Sequence, residues 1–152
     1  MIRFGFIGTG RISDWVFKGA SEDPRIKVTA ICSRTEEAAK AFIASHPEIT
    51  GARIYTSVED MANDPDIDAI YIGTPNQTHH NYAITALNAG KHVLCEKPFS
   101  ISGDEAREMA AAARDNGKLL MEAMISTFNP NFRAFANHIS NVAPLRQYHS
   151  SY

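Results

Sequence analysis

The sequence predicts an α/β protein built on a doubly wound parallel sheet of about six strands. Short apolar segments rich in β-branched and aromatic residues alternate along the chain with longer segments of helical periodicity, and turn residues separate the two kinds. That alternation is typical of βαβ units, in which a helix connects each strand to the next parallel one. A chain of 152 residues is long enough for one such domain and hardly for two.

Six segments fit the strand pattern, and the segments between them carry helix signals. The strands are expected near Ile2 to Ile7, Lys27 to Cys32, Arg53 to Tyr55, Ala69 to Ile72, His92 to Cys95 and Leu119 to Glu122. Two helices are expected to begin at capping boxes, and two helices are expected to end before a glycine. These signals are Ser57 with Asp60, Ser102 with Glu105, Gly90 and Gly117. Apolar stripes at helical spacing give two helices a face for the sheet: Ala38, Ala39, Phe42 and Ile43, and Ala106, Met109, Ala110 and Ala113.

Composition and charge narrow the class of protein. Hydrophobic residues make up 44% and charged residues 21%, the formal net charge is −2, and no Lys/Arg cluster occurs. We therefore expect no nucleic-acid partner and no membrane partner. Met1 leads directly into a strand with no signal-peptide pattern, and Cys32 and Cys95 form neither a CxxC nor a disulfide framework. A cytoplasmic protein is the expectation.

The last part of the chain follows a different pattern. Pro130 stands where a helix can begin, and Phe132, Phe135, Ala136 and Ile139 give that helix an apolar face. After Pro144, the residues from Leu145 to Tyr152 resemble the opening of a strand with no partner after it. We expect either that the chain is cut inside a longer protein or that this strand pairs with another copy.

The segment Gly8-Thr9-Gly10-Arg11-Ile12-Ser13 follows a buried strand at once and opens an amphipathic helix. In this context the first glycine permits a tight turn, the second lets the backbone approach a pyrophosphate, and the helix N-terminus offers N–H groups to it. A small Ser13 replaces the third glycine of the dinucleotide fingerprint. The segment favours a Rossmann-type sheet that binds NAD or NADP. The alternative is that the same residues form a plain β-turn-α connection that binds no ligand.

The end of the second strand bears on the choice of cofactor. NAD sites usually carry an Asp or Glu there for the ribose hydroxyls, whereas NADP sites offer a hydroxyl and an Arg to the 2′-phosphate. This strand ends in Ser33-Arg34 with no acid. NADP is therefore favoured over NAD, with two alternatives for Arg34: stacking on adenine in an NAD site, or a solvated loop charge.

Polar residues also follow the fourth and fifth strands, where a parallel sheet binds ligands. They are Gly73-Thr74-Pro75-Asn76, Thr78-His79-His80 and Glu96-Lys97-Pro98. Lys97 is the candidate for chemistry, because an ammonium at the mouth of a water-poor cleft can transfer protons. The alternative is a surface lysine at a strand end. Glu96 can pair with Lys97, and Pro98 is expected to fix the local geometry, with a cis bond available to it. No third ligand is spaced to make His79 and His80 a metal site.

Together these motifs resemble one family of oxidoreductases. The GxGxI turn, the Ser-Arg pair, a Thr-Pro-Asn-x-x-His segment and the Glu-Lys-Pro segment occur here in order. They resemble the glucose-fructose oxidoreductase, inositol dehydrogenase and rhizopine catabolism family (Gfo/Idh/MocA), and Glu-Lys-Pro is the discriminating part. The resemblance runs from Met1 to about Ala123, and Met121 to Met124 with Phe128-x-Pro130 resembles the crossing into that family's second domain.

The resemblance implies roles for the site residues. Gly8, Thr9, Gly10, Arg11 and Ile12 would hold the pyrophosphate, and Ser33 and Arg34 the adenosine ribose. Thr74, Pro75, Asn76 and His79 would lie on the nicotinamide side, which Glu96 and Lys97 would border. Lys97 would act on the substrate hydroxyl or carbonyl. The implied reaction is reversible hydride transfer between nicotinamide and a sugar, polyol or related alcohol.

The resemblance also implies a domain plan. Residues 1–123 would form the nucleotide-binding domain, and residues 124–152 the truncated start of a C-terminal α/β domain that contributes an Asp and a His to the active site. That second domain usually builds a dimer interface, so a homo-oligomer is expected at full length, and this chain alone is expected to bind nucleotide with little turnover. A non-catalytic NAD(P)-binding sensor or partner-binding module is the alternative, which Lys97 beside Glu96 and Pro98 argues against.

Overall fold

The computed structural model describes residues 1–141, in which strands and helices alternate as the sequence predicts. The strands are β1 (Ile2–Ile7), β2 (Ile26–Cys32), β3 (Arg53–Tyr55), β4 (Ala69–Ile72), β5 (His92–Glu96) and β6 (Leu120–Ala123). The helices are α1 (Arg11–Ser21), α2 (Glu36–Ala44), α3 (Val58–Ala62), α4 (His79–Asn88), α5 (Gly103–Asp115), α6 (Ile125–Phe128) and α7 (Pro130–His138). Short 3-10 turns cover Asn76–Thr78 and Ile139–Asn141. Each predicted strand is confirmed to within one residue at either end.

The six strands form one sheet in the order β3-β2-β1-β4-β5-β6, and all neighbours are parallel. The chain builds outward from β1 in one direction and then returns to build outward from β4 in the other. The strand order therefore reverses between β1 and β4, the point at which open parallel sheets bind ligands beyond the carboxyl ends of their strands. This confirms the doubly wound Rossmann-type prediction.

Helices cover both faces of the sheet because successive residues of each central strand point to opposite sides. Phe6 and Tyr71 pack with Phe17 of α1 and Phe42 of α2 on one face. The next residues of β1 and β4, Ile7 and Ile72, point to the other face. There they pack with Met61 of α3, Leu87 of α4 and Met109 of α5. The apolar stripes predicted for α2 and α5 supply the buried Ala39, Phe42, Met109 and Ala113. The side chains of each central strand thus alternate between two buried apolar layers, as in parallel sheets covered by helices on both faces.

The helix boundaries follow the predicted capping signals. The hydroxyl of Ser57 accepts a hydrogen bond from the backbone N–H of Asp60 (3.1 Å), and Ser102 accepts one from Glu105 (3.2 Å). The carboxylate of Glu105 accepts from the N–H of Ile101, one residue before the cap that the capping box predicts. The helices α4 and α5 end before Gly90 and Gly117, as expected.

The C-terminal helix predicted after Pro130 is present as α7. Asn129 caps it, and its apolar residues Phe132 and Phe135 are 45% and 41% exposed. The strand predicted from Leu145 lies outside the described residues. Within those residues, α6 and α7 contact each other and leave an apolar surface beside β6.

An ion-pair network ties the amino-terminal edge of the sheet together. The guanidinium of Arg3 in β1 donates to both carboxylate oxygens of Asp68 (3.0 and 2.7 Å), and its backbone N–H donates to the same carboxylate (2.8 Å). These bonds lower the pKa of Asp68 to about 2. Arg53 of β3 pairs with Asp64 (2.6 Å), so the segment before β4 is held both from β1 and from the edge strand β3.

Acid should weaken the fold through Asp68. A carboxyl group whose pKa is lower in the folded state stabilises the fold above its ordinary pKa, and this contribution is lost as the pH falls through the folded value. The free energy of unfolding should therefore decline between about pH 4 and about pH 2. Urea denaturation across pH 2–7 should show a shallower decline, and lower stability at neutral pH, for Asp68→Asn.

Glu48→Gln is the control, because Glu48 is an exposed carboxylate with no ion pair in the described structure. It should keep the acid dependence of the unmodified chain. An unchanged acid dependence in Asp68→Asn would contradict the assignment.

Candidate functional site

Gly8 forms the turn after β1, at the point where the strand order reverses. Its φ is +100°, a backbone conformation that side chains other than glycine's rarely adopt. A Cβ at this position would lie 2.4 Å from the carbonyl oxygen of Gly73, which follows β4. Two backbone hydrogen bonds fix the turn, from Gly8 N–H to Cys32 O and from Gly73 N–H to Ile7 O, both 2.9 Å. Only a glycine at position 8 allows this close approach.

Gly10 has a different environment from Gly8. It is the N-cap residue of α1, it has an ordinary φ of −84°, and a Cβ placed on it would meet no atom within 4 Å. No side chain caps the first turn of α1. The backbone N–H groups of that turn, at Arg11 and Ile12, therefore border open space, an arrangement suited to an anion such as a pyrophosphate.

Ser13 takes the place of the third glycine and is fully buried. A Cβ on Gly73 would lie 2.6 Å from its Oγ, so the first turn of α1 packs directly against the backbone that leaves β4. A small residue at position 13 is what this contact requires.

The end of β2 places Ser33 beside the glycine turn. The hydroxyls of Thr9 and Ser33 lie 3.2 Å apart and form a hydrogen bond in which either can donate. Arg34 follows, exposed, and forms no hydrogen bond or ion pair with any residue from 1 to 141. The structure thus brings two hydroxyls together and leaves a free guanidinium next to them.

The segment after β4 is an ordered turn. Thr78 donates its hydroxyl hydrogen to the carbonyl of Pro75 (2.7 Å), so the hydroxyl of Thr74 is the donor in its own 2.7 Å bond to Thr78. Asn76 begins the 3-10 turn and is exposed. Its side-chain amide remains available to a ligand.

His79 is fully buried at the start of α4. Its Nδ1 lies 2.9 Å from the carbonyl oxygen of Pro98, and its Nε2 lies 2.9 Å from that of Thr74. Both ring nitrogens are thereby engaged with the backbone of the two segments that follow β4 and β5. His79 therefore connects these two segments, and neither of its ring nitrogens is left for direct contact with a cofactor.

Glu96 ends β5 and Lys97 follows it, and the two differ sharply in exposure. Glu96 is 6% exposed; its Oε1 accepts a hydrogen bond from the hydroxyl of Tyr71 and its Oε2 accepts one from the backbone N–H of Lys97, both at 3.2 Å. The Lys97 side chain is exposed and forms no ion pair within residues 1–141. The peptide bond between Lys97 and Pro98 is cis, as the sequence allowed. Glu96 therefore holds the backbone of Lys97 instead of pairing with its ammonium group.

Two residues that sequence reasoning did not single out complete this arrangement. Tyr71 is the donor to Glu96, and the carboxylate of Glu122 in β6 accepts from the backbone N–H of Phe99 (2.9 Å). A tyrosine inside a wholly apolar strand was the available signal for the first, because a buried phenol needs a hydrogen-bond partner. The four residues from Glu96 to Phe99 are held by three side chains, those of Tyr71, His79 and Glu122.

The described structure argues against nucleophilic chemistry by either cysteine thiol. Burial raises the pKa of Cys32 to about 11 and that of Cys95 to about 12, so both remain protonated thiols. His80 faces Glu108 (2.8 Å), away from the bonds made by His79. Within residues 1–141, no group of three or more His, Cys, Asp or Glu side chains could hold a metal ion.

No described helix combines the length and the apolar character needed to cross a bilayer.

Residues 2–124 match the model of one protein family, described as an oxidoreductase family with an NAD-binding Rossmann fold, GFO_IDH_MocA. The chain is 41% identical over 152 residues to scyllo-inositol 2-dehydrogenase (NADP(+)) IolU of Bacillus subtilis, covering 100% of this chain and 45% of that protein. It is 39% identical over 121 residues to 1,5-anhydro-D-fructose reductase of Ensifer adhaerens, covering 79% of this chain and 35% of that protein.

Solved structures of oxidoreductases also superpose on this chain. The 3-ketoreductase KijD10 of Actinomadura kijaniata, solved with NADP, superposes with a TM-score of 0.83 at 33% identity, over 93% of this chain and 44% of that one. A putative myo-inositol dehydrogenase of Sinorhizobium meliloti superposes with a TM-score of 0.80 at 28% identity, over 93% and 41%. The chain thus spans less than half the length of these relatives.

The two glycines of the turn should respond differently to substitution. Gly8→Ala should lower the free energy of unfolding by about 2 kcal/mol or more, because alanine meets both the positive φ and the Gly73 carbonyl. Gly10→Ala should change it by less than about 1 kcal/mol, since its φ is ordinary and its Cβ enters open space. Urea denaturation of both variants measures the difference. Equal losses would contradict the described turn.

Proposed function

Because this chain belongs to the Gfo/Idh/MocA oxidoreductase family with an NAD-binding Rossmann fold, we propose that it is the nucleotide-binding part of an NADP-dependent oxidoreductase. The enzyme would transfer hydride between the nicotinamide and a sugar, polyol or related alcohol or carbonyl. The observation that carries the proposal is the placement of two unpaired cations on either side of the glycine turn. Arg34 follows β2, and Lys97 follows β5.

The positions of these cations match the two halves of a dinucleotide. Adjacent strands lie about 4.8 Å apart, so the ends of β2 and β5, three strand intervals from each other, are separated by about 14 Å. The turn at Gly8 and Gly10 lies between them, with the uncapped first turn of α1 next to it. A pyrophosphate at this turn would place one ribose toward Ser33 and the nicotinamide toward Lys97.

The residues proposed to contact the adenosine ribose, Ser33 and Arg34 after β2, favour NADP over NAD. Ser33 and Arg34 stand directly after β2 in place of a carboxylate that would hold the ribose hydroxyls. The guanidinium of Arg34 and one hydroxyl of the Thr9–Ser33 pair can donate hydrogen bonds to a 2′-phosphate. A carboxylate at the same place would repel that phosphate. The NADP(+) in the name of the Bacillus relative and the NADP in the KijD10 structure support the same choice.

Lys97 is the residue proposed for proton transfer. When bound, the nicotinamide supplies or accepts the hydride. An alcohol that loses hydride also loses a proton from its oxygen, and the reverse reaction returns that proton. The Lys97 ammonium is exposed at the nicotinamide end and has no carboxylate partner in the described structure. The backbone from residue 97 to residue 99 is held by the side chains of His79, Glu96 and Glu122. The Lys97 side chain can therefore give a proton to a substrate oxygen or, as the amine, accept one.

The substrate part is proposed to lie beyond the Rossmann domain. We assign residues 1–123 to the nucleotide domain and residues 124–152 to the start of a second one. Met124, Ile125 and Phe128 are 41%, 79% and 51% exposed, an apolar surface of the kind that another domain covers. Residues that would recognise the substrate are expected in that second domain.

Titration of the purified chain with NADPH and NADH tests the cofactor proposal. NADPH should bind more tightly, because Arg34 can pair with its 2′-phosphate. Arg34→Ala should weaken NADPH binding about tenfold and leave NADH binding within about twofold. Binding can be followed by energy transfer from Trp15, the single tryptophan, to the reduced nicotinamide.

Lys27→Ala is the matched control. It removes an exposed positive charge near the opposite end of the same strand, β2, and should preserve the preference for NADPH. Equal affinities of the unmodified chain for NADPH and NADH, or a preference for NADH, would refute the proposed role of Ser33 and Arg34.

The catalytic proposal can be tested in a chimera in which this chain replaces the matching part of the Bacillus scyllo-inositol dehydrogenase. The chimera should reduce NADP⁺ with scyllo-inositol, and Lys97→Ala should lower kcat by about a hundredfold or more with NADPH affinity within about twofold. Turnover of Lys97→Ala at the unmodified rate would refute the role of Lys97. A chimera that binds NADPH but shows no turnover would instead favour a nucleotide-binding module without chemistry.

A further inference from the structure

We propose that Tyr71 is a positioning residue for the nicotinamide end of the site, acting on Lys97 through the buried carboxylate of Glu96. The inference rests on the proposed binding of NADP and extends it to a side chain that lies inside the sheet. Tyr71 would touch neither cofactor nor substrate. Its role would be to fix where the backbone of Lys97 leaves β5.

Tyr71 is held rigidly at the centre of the sheet. It is fully buried in β4, and its ring centroid lies 4.8 Å from that of Phe6 in β1. Burial and the neighbouring Glu96 carboxylate raise the pKa of its hydroxyl. The phenol therefore keeps its proton across the range in which the fold is stable, and it is the donor in the 3.2 Å bond to Glu96 Oε1.

The carboxylate of Glu96 links the Tyr71 hydroxyl to the backbone of Lys97. The carboxylate is almost completely buried and has one hydrogen bond on each oxygen, from Tyr71 and from the N–H of Lys97. A buried carboxylate is costly without donors, so both bonds constrain its orientation. Since Tyr71 lies on β4 and Glu96 on β5, the carboxylate connects two neighbouring strands at the edge where the cofactor is proposed to bind.

The surroundings leave Tyr71 little freedom to move. The backbone of Gly73 crosses directly over it, so that a Cβ on Gly73 would lie 2.7 Å from ring carbon Cε1 and 2.8 Å from the Tyr71 hydroxyl. The Oγ of the buried Ser13 in α1 would lie 2.6 Å from the same Cβ. The phenol is thus confined by β1, β4 and the helix that begins at the glycine turn.

Lys97 depends on this arrangement because its own side chain has no anchor in the described structure. Its ammonium can reach a fixed place only if its backbone is fixed. Phenylalanine at position 71 would retain the ring and remove the hydroxyl, leaving Glu96 Oε1 with no donor. The predicted result is a local loss of order at the nicotinamide end, with the adenosine end unaffected.

A comparison of two ligands on Tyr71→Phe tests the proposal. One ligand is NADP⁺, and the other is 2′-phospho-ADP-ribose, the same molecule without nicotinamide. Tyr71→Phe should weaken NADP⁺ binding about fivefold and leave 2′-phospho-ADP-ribose within about twofold. Calorimetric titration measures both. A merely structural role would change both affinities in the same proportion.

Tyr55→Phe is the matched control, since it also removes a tyrosine hydroxyl that donates to a carboxylate, Asp64 (2.7 Å), away from β5. It should leave the ratio of the two affinities unchanged. Glu96→Gln tests the same link from its other partner, because the side-chain amide can still accept from Tyr71 but then presents an N–H group toward the N–H of Lys97. It should reproduce the selective loss, and this comparison decides the matter if Tyr71→Phe fails to fold.

The outcomes separate the two proposals. If the unmodified chain binds neither ligand, the proposed cofactor function is wrong. If the unmodified chain binds both ligands and the folded Tyr71→Phe variant keeps the ratio of affinities unchanged, the role of Tyr71 is overturned. An unchanged ratio in Glu96→Gln overturns it equally.

Discussion

The close approach of Gly8 to the carbonyl of Gly73 is the constraint on which the rest of the site depends. It joins β1 to β4 where the strand order reverses, and a side chain on Gly8 would collide with that carbonyl at 2.4 Å. With the two strand ends held this closely, the buried Ser13 brings the first turn of α1 onto the same edge. Gly10 then faces open space beside uncapped N–H groups. Gly8 is thus required by the fold, whereas Gly10 leaves space in which a ligand can approach the backbone.

The carboxyl edge and the amino edge of the sheet use charge in opposite ways. At the amino edge, Arg3 and Arg53 are paired with Asp68 and Asp64, and these pairs connect β1 and β3 to the segment before β4. At the carboxyl edge, Arg34 and Lys97 have no such partners in the described structure. Unpaired cations at one edge attract an anionic ligand, whereas the paired ones at the other edge contribute to the fold.

Much of the fold follows from the sequence, and the site only in part. Strand positions, helix caps and the switch point depend on local periodicity and on glycines, which are visible along the chain. The roles inside the site depend on contacts between distant residues. His79 was assigned to the cofactor by resemblance, yet its two ring nitrogens each lie 2.9 Å from a backbone carbonyl oxygen, that of Pro98 or that of Thr74. Glu96 was expected beside the Lys97 side chain, yet it binds the Lys97 backbone and Tyr71. Only the parallel pairing of β4 with β5 brings these groups together.

The central claim is that one dinucleotide binds along the carboxyl edge, from the end of β2 to the end of β5. Mapping backbone amide shifts of the ¹⁵N-labelled chain during titration with NADP⁺ tests it most directly. Shifts are expected at residues 8–13, 33–34, 74, 76 and 96–97, with Arg3 and Arg53 at the opposite edge unaffected. An absence of saturable shifts, or shifts confined to the amino edge of the sheet, would contradict it.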